Sequence, residues 1–119
     1  MKGVETYQET AVTTQTKGRL IVMLYDGAIK FLKMALKEIE AENAEQKGKY
    51  INKALDILFE LNTVLDIDGG GEVAANLRSL YTYMVRRLNE GNIEQDSNRI
   101  EEVIKLLEEL NQSWKAIAG

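Results

Sequence analysis

Apolar residues recur three and four positions apart along most of the chain, a spacing that places them on one face of an α-helix. The clearest stripe lies near the C-terminus and consists of Ile93, Ile100, Val103, Leu107, Leu110, Trp114 and Ile117. The same rule gives further stripes that begin near Leu20, Ile51 and Val73. The pattern therefore predicts four amphipathic helices.

The first two predicted helices carry more apolar residues than one stripe requires. In the first helix, a core stripe of Leu20, Leu24, Phe31 and Ala35 lies beside a second stripe of Ile21, Tyr25, Leu32 and Leu36. In the second helix, Tyr50, Ile57 and Val64 lie apart from the stripe that contains Ile51, Leu58 and Leu65. Burial of the first helix among three neighbours would absorb much of its surplus, but not the second stripe of the second helix. The surplus therefore favours a surface for a partner helix.

Polar residues and glycines mark the predicted helix ends. Two asparagines are expected to cap helices, each with a glutamine three residues later in the capping-box position: Asn43 with Gln46, and Asn92 with Gln95. Gly91 is expected to end the third helix, and the run at 69–71 to connect the second and third. Thr16 is the expected cap of the first helix. Residues 1–15 then form a flexible polar arm, and residues 16–119 form the bundle.

The two halves of the chain resemble each other at an offset of 49 residues. The segment from Asn43 to Leu65 aligns with the segment from Asn92 to Trp114 without a gap. Two similar helical hairpins joined by the glycine run would build an all-α, antiparallel, up-and-down four-helix bundle. The alternative is that amphipathic helices rich in Leu and Glu resemble one another by chance.

The composition argues against catalysis and against a bound cofactor. The chain has no proline, cysteine or histidine, so the commonest general base, thiolate metal sites and disulfides are all missing. The carboxylates lie between the apolar positions, as on a solvated helix surface. The glycine run lacks the Lys-Ser/Thr ending of a phosphate loop. We therefore expect neither an enzyme nor a metal or cofactor site.

Charge and hydropathy narrow the range of partners. The net charge is −4, from 15 basic and 19 acidic residues, whereas a nucleic-acid-binding protein usually has a basic excess. The longest apolar run, residues 20–25, is far shorter than the ~20 residues that span a bilayer. The N-terminus has no apolar run typical of a signal peptide. We expect a cytoplasmic domain that neither binds nucleic acid nor inserts into a membrane.

Two segments resemble the signatures of the flagellin-specific export chaperones, the FliS family. They are GRLIVMLYDGAIKFL at 18–32 and GGEVAANLRSLYTYM at 70–84, the latter followed by Arg87-Leu88. Tyr7 near the N-terminus and Trp114 near the C-terminus fit the same pattern. Lys17 departs from it, because the family commonly has a proline there. The resemblance covers nearly the whole chain without gaps.

The resemblance implies an antiparallel four-helix bundle that binds the C-terminal segment of newly made flagellin. Such a chaperone prevents premature polymerisation of flagellin in the cytoplasm and assists its delivery to the flagellar type III export apparatus. Export apparatus components or a second cytoplasmic regulator are further partners that the resemblance allows. The family's N-terminal arm can lie over part of the apolar surface, so we predict that Tyr7 competes with the client for that surface.

The candidate partner-binding residues are those that lie outside the expected core stripes. The apolar candidates are Ile21, Tyr25, Ile29, Ile57, Val64 and Tyr83. Asp26 and Asn76 either orient the client backbone or satisfy polar groups inside the bundle. Arg87 is expected to pair with an acidic rim or with the client.

Other functions share the same composition. A generic helical protein–protein interaction module, or a homodimeric bundle, would differ only in its partner. A small-molecule site is less favoured, since no convergent polar groups indicate a pocket.

Overall fold

Four α-helices packed side by side make up the described part of the chain. The computed structural model describes the backbone of residues 2–68 and 71–118 and the side chains of residues 17–65 and 71–118. The helices are α1 (Lys2–Glu40), α2 (Ala44–Asp68), α3 (Glu72–Glu94) and α4 (Ser97–Ala118). Both α1 and α3 pack against α2 and α4, so the helices form a ring in chain order. The short connections reverse the direction each time, and the predicted antiparallel four-helix bundle is confirmed.

The turn between α1 and α2 confirms the predicted cap at Asn43. Gln46 N donates a hydrogen bond to Asn43 Oδ1 at 3.2 Å. The preceding residue, Glu42, has φ 57°, and Asn43 N donates to Glu38 O at 2.9 Å. This left-handed residue and its backbone bond close α1 in a Schellman-type turn, which satisfies a carbonyl that the helix leaves free.

The predicted cap at Asn92 is wrong, because α3 continues through this residue to Glu94. The helix ends instead at Gln95, which adopts the left-handed conformation with φ 52°. The cap of α4 is Asp96, whose Oδ1 accepts a hydrogen bond from Asn98 N at 3.0 Å. The helix boundary therefore lies four residues beyond the predicted one.

Gly91 lies inside α3, where it permits close packing rather than a turn. A Cβ atom at this position would lie 3.2 Å from Cγ1 of Ile100 in α4. One residue later, Asn92 O accepts a hydrogen bond at 2.8 Å from Nζ of the buried Lys47. Gly91 thus packs against α4, and Asn92 binds a side chain of α2. These contacts hold the pair within α3, so the helix continues through it.

The first helix begins at Lys2, not at the predicted cap Thr16. The β-branched residues of this segment cost only fractions of a kcal/mol each in a helix, and no proline interrupts it. A Cβ on Gly18 would lie 3.5 Å from Ala118 Cβ, so α1 extends beyond the last turn of α4. The role of residues 1–15 as an arm stays a prediction.

The core corrects the predicted placement of three candidate residues. Ile21 and Val64 are each 7% exposed and Tyr25 is fully buried, so their predicted position outside the core is wrong. α1 faces inward with the stripe Ile21, Tyr25, Ala28, Leu32 and Ala35. Both stripes of α1 are apolar, and the inward one is the stripe whose tyrosine finds a polar partner in the interior.

The burial pattern agrees with the offset of 49 residues between the two halves. Positions 49 residues apart are buried together in both hairpins: Ala28 and Leu77, Leu32 and Tyr81, Ala35 and Met84, Ile51 and Ile100, Ala54 and Val103, Leu58 and Leu107. The glycine run lies between α2 and α3, as predicted. Its last residue, Gly71, has φ 98°, a conformation that favours glycine.

A tyrosine pair crosses the middle of the bundle. The Tyr25 and Tyr81 hydroxyls are 2.5 Å apart, and both side chains are buried. Burial raises the pKa of both hydroxyls above the usual value. Within the described residues, the backbones of α1 and α3 do not contact each other. This hydrogen bond therefore links the two helices across the diagonal of the ring, and the ring of Trp114 lies 6.3 Å from that of Tyr25.

We expect Tyr25→Phe to lower the free energy of unfolding by about 1–3 kcal/mol, because it leaves the Tyr81 hydroxyl buried without its partner. Replacing both tyrosines by phenylalanine should cost less than the sum of the single variants, because no hydroxyl is then left unpaired. Urea unfolding measures both effects. Tyr50→Phe, at the half-buried ring stacked on Phe31, is the control and should change stability by at most about 0.5 kcal/mol. Additive losses would contradict the coupling.

Candidate functional site

Two cavities between α1 and α4, and a third that adjoins them along α1, form one open groove, here called the α1/α4 groove. The first, of about 460 Å³, is lined by Arg19, Val22, Met23, Lys115 and Ala118. The second, of about 300 Å³, shares Lys115 with the first and Asp26, Ile29 and Lys33 with the third, of about 400 Å³. From Arg19 to Lys37, α1 rises about 27 Å at 1.5 Å per residue. The groove therefore has the length of a helix of about 18 residues.

Polar contacts between the two helices cross the middle of this groove. Asn111 is 3% exposed, and its Nδ2 donates a hydrogen bond to Asp26 Oδ1 at 2.8 Å. Lys115 Nζ lies 3.5 Å from the same oxygen. Lys33 Nζ lies 3.5 Å from Glu108 Oε2, with both side chains at least half exposed. These contacts hold α4 against α1, and Asp26 serves the bundle itself, one of its two predicted roles.

The groove changes in character along its length. At the end near Ala118, its wall includes the apolar side chains of Val22 and Met23, and Met23 is 67% exposed. At the other end, three lysines surround Ile29 and Met34. Methionine adapts to varied apolar partners because its chain is unbranched and polarisable. An amphipathic helix with apolar and charged faces matches such a groove.

A second surface lies between α3 and α4 and carries a network of charged groups. Arg87 Nε donates to Glu102 Oε1 at 2.7 Å, and the Tyr83 hydroxyl donates to Glu102 Oε2 at 2.9 Å. The hydrogen bond from Arg87 is the main cause that lowers the pKa of the Glu102 carboxyl, and the hydrogen bond from Tyr83 is the second. The bond to Glu102 in turn raises the pKa of Tyr83 and of Arg87. Arg87 also pairs with Glu90 at 3.3 Å, so its guanidinium is already engaged within the chain.

An apolar cavity of about 200 Å³ lies elsewhere on the α3/α4 surface. It is lined by Val73, Leu77, Leu110, Ser113, Trp114 and Ile117. Val73 and Ile117 are 74% and 77% exposed, although both belong to predicted core stripes. Both residues lie in the terminal turns of their helices, outside the part of each stripe that is buried. This cavity is too small for more than one or two side chains of a partner.

The structure does not bring the predicted binding residues to one place. Asp26 and Ile29 line the α1/α4 groove, while Ile57 packs near Gly27 at the α1/α2 contact. The remaining candidates lie on α3 or in the core, or fall outside the described side chains: Asn76 is exposed on α3, Tyr83 and Arg87 bind Glu102, Ile21, Tyr25 and Val64 are buried, and Tyr7 lies outside.

Sequence reasoning missed the charged residues of the groove. Lys30, Lys33 and Lys37 follow one another at intervals of three and four residues, which places them on the same face of α1. That spacing was available in the sequence, but the overall net charge of −4 concealed it. The 67% exposure of Met23 depends on how α1 packs against its neighbours, so the pattern of a single helix does not indicate it.

The described residues contain no helix long and apolar enough to cross a membrane. Within the same part of the chain, no group of three or more acidic side chains is placed to hold a metal ion.

Comparison with known proteins finds one family over the full length. The family model of the flagellar protein FliS matches residues 1–119. The chain is 40% identical to the flagellar secretion chaperone FliS of Salmonella typhimurium, over 92% of this chain and 82% of that protein. It is 37% identical to the protein of the same name from Bacillus subtilis, over 92% and 80%. Identity to the flagellar secretion chaperone FliSB of Pseudomonas aeruginosa is 37%, over 99% and 97%.

The lowered pKa of Glu102 predicts a pH-dependent contribution to stability. A carboxyl whose folded pKa lies below its unfolded value of about 4.3 stabilises the fold above that value. This stabilisation is lost as the pH falls through the folded pKa. We therefore expect Glu102→Gln to be destabilising near pH 7 and to differ less from the unmodified protein below about pH 4.

Urea unfolding across this pH range measures the effect. Glu101→Gln, an exposed neighbour with the same change in charge, is the control and should show no such convergence. A difference between Glu102→Gln and the unmodified protein that is constant with pH would contradict the role of the carboxylate.

Proposed function

The chain belongs to the FliS family of flagellar secretion chaperones, and from that premise we propose that it binds the C-terminal segment of flagellin in the cytoplasm. In this proposal the chaperone prevents premature polymerisation of the segment and assists its delivery to the flagellar type III export apparatus. The chain's role is one of binding and release, not of catalysis.

The α1/α4 groove is the observation that carries the proposal. A client segment that is disordered when free must offset the entropy that it loses on folding, so it needs a long contact. The groove provides about 27 Å along α1, with exposed Met23 and half-buried Val22 at one end and Ile29 and Met34 further along. The client segment lies in this groove as a helix, with its apolar face toward α1 and α4.

The shape of the groove also suits release. All three cavities that form the groove are open to solvent, so none of them encloses a single client side chain. An affinity built from many partly exposed contacts stays moderate, because each contact contributes little after the entropy of ordering is subtracted. A client held in this way leaves the chaperone one contact at a time when the export apparatus takes it up.

We expect Met23→Glu to weaken binding of the flagellin C-terminal segment by at least about tenfold, because it places a carboxylate in an apolar contact. The side chain is 67% exposed in the free chain, so the fold should be unaffected. Isothermal titration calorimetry with that segment measures the affinity, and circular dichroism checks the helices.

Phe59→Glu is the matched control, since Phe59 is 56% exposed on α2 and does not line the groove. It should leave the affinity within about twofold. Equal losses in both variants would remove the groove from the proposal. Absence of any complex between the unmodified chain and the segment at micromolar concentration would overturn the proposal itself, and self-association in sedimentation would then favour a homodimeric bundle.

A further inference from the structure

Basic side chains are concentrated in the α1/α4 groove, although the chain as a whole is acidic, with a net charge of −4. The groove is lined by the cations Arg19, Lys30, Lys33, Lys37 and Lys115. Among the described residues, the carboxylates that line it are those of Asp26 and Glu108. The groove is thus positively charged on a negatively charged protein, which favours an occupant of the opposite sign.

Three of these cations form a regular stripe, here called the lysine stripe: Lys30, Lys33 and Lys37. Within the described residues, Lys30 and Lys37 have no ion-pair partner, and Lys33 reaches Glu108 only at 3.5 Å. Lys37 lies in the last turn of α1, where a cation stabilises the helix dipole. Lys30 lies too far from that turn for the same explanation, and Lys33 has its long contact with Glu108. The charges of Lys30 and Lys37 are therefore unpaired within the described residues.

The lysine stripe and the cavity beside Met23 lie at opposite ends of the α1/α4 groove. This cavity is lined by the apolar side chains of Val22, Met23 and Ala118 and by Arg19 and Lys115, and its centre on α1 is about 12 residues from that of the stripe. At 1.5 Å per residue this is about 18 Å. An occupant helix must therefore carry its apolar contacts about 18 Å from the carboxylates that face the stripe.

We propose that the α1/α4 groove recognises an acidic amphipathic helix. Carboxylates of the partner, spaced three, four or seven residues apart, face Lys30, Lys33 and Lys37. Apolar side chains about 12 residues away along the same helix enter the cavity beside Met23. The inference rests on the proposed function, in which the occupant is the flagellin C-terminal segment, and adds the charge pattern that the groove selects.

A nucleic acid fits these observations less well. The lysine stripe spans eight residues, with a rise of about 10 Å, which reaches few phosphates. Asp26 and Glu108 line the same groove and would repel a polyanion. A helix carries its carboxylates at the spacing of the stripe and presents apolar side chains as well, so it matches both ends of the groove.

The test compares three variants by calorimetry with the flagellin C-terminal segment at about 50 mM and about 500 mM NaCl. The first, K30Q/K33Q/K37Q, neutralises the stripe and should weaken binding about tenfold at low salt, at two- to threefold for each exposed pair. The second, K30R/K33R/K37R, keeps the charge and should bind within about twofold of the unmodified chain. High salt should weaken the unmodified chain more than the glutamine variant.

The third variant, K49Q/K53Q/K105Q, removes the same charge from lysines that do not line the groove and should leave the affinity unchanged. Equal affinities of the two glutamine variants, or binding that does not change with salt, would overturn the inference and leave the proposed function intact. If the unmodified chain binds the segment at neither salt concentration, the proposed function fails. Binding of the unmodified chain, but not of K30Q/K33Q/K37Q, to vesicles containing phosphatidylserine would reassign the stripe to an anionic membrane surface.

Discussion

The hydrogen bond between Tyr25 and Tyr81 determines how α1 is turned about its axis. Both hydroxyls are buried, and a buried hydroxyl without a partner costs free energy, so α1 must direct Tyr25 toward the centre of the ring. The neighbouring residues then take fixed directions. Asp26 and Ile29 line the α1/α4 groove beside α4, and Lys33 follows them. The face that α1 offers to a partner is thus a consequence of a polar contact in the core.

The helices and most of their inward faces follow from the spacing of apolar residues, and the packing preserves the 49-residue repeat. The sequence could not decide between the two stripes of α1, because Leu20, Leu24 and Phe31 are as apolar as Ile21, Tyr25 and Leu32. Periodicity gives the angle between stripes but not the rotation of a helix against its neighbours. The prediction of a helix boundary at Gly91 and Asn92 failed for a related reason. Glycine also occurs where two helices pack closely, as Gly91 does against Ile100.

The candidate site was harder to predict than the fold. Ile29 and Asp26 were identified, but the surface that they share with Met23 and Lys115 depends on how α4 lies against α1. Exposure is a property of the whole packing, so single-helix patterns placed Ile21 and Val64 at the surface although they are buried. The lysine stripe lies within one helix, so its spacing is visible in the sequence. The net charge hides it, because that sum includes the charges on every face of the protein.

The two interfaces of α4 differ in a way that suits a binding protein. On the α3 side, the Glu102 carboxylate accepts hydrogen bonds from Arg87 and Tyr83 at 2.7 and 2.9 Å. These groups are therefore already paired within the chain. On the α1 side, Lys33 and Lys115 form only long, exposed contacts of 3.5 Å, which are worth little in water. Replacing such contacts costs little when a partner arrives, and breaking the new ones costs little when it leaves. The hydrogen bond from the buried Asn111 to Asp26 at 2.8 Å keeps α4 against α1, so these weak surface pairs can exchange without disturbing the bundle.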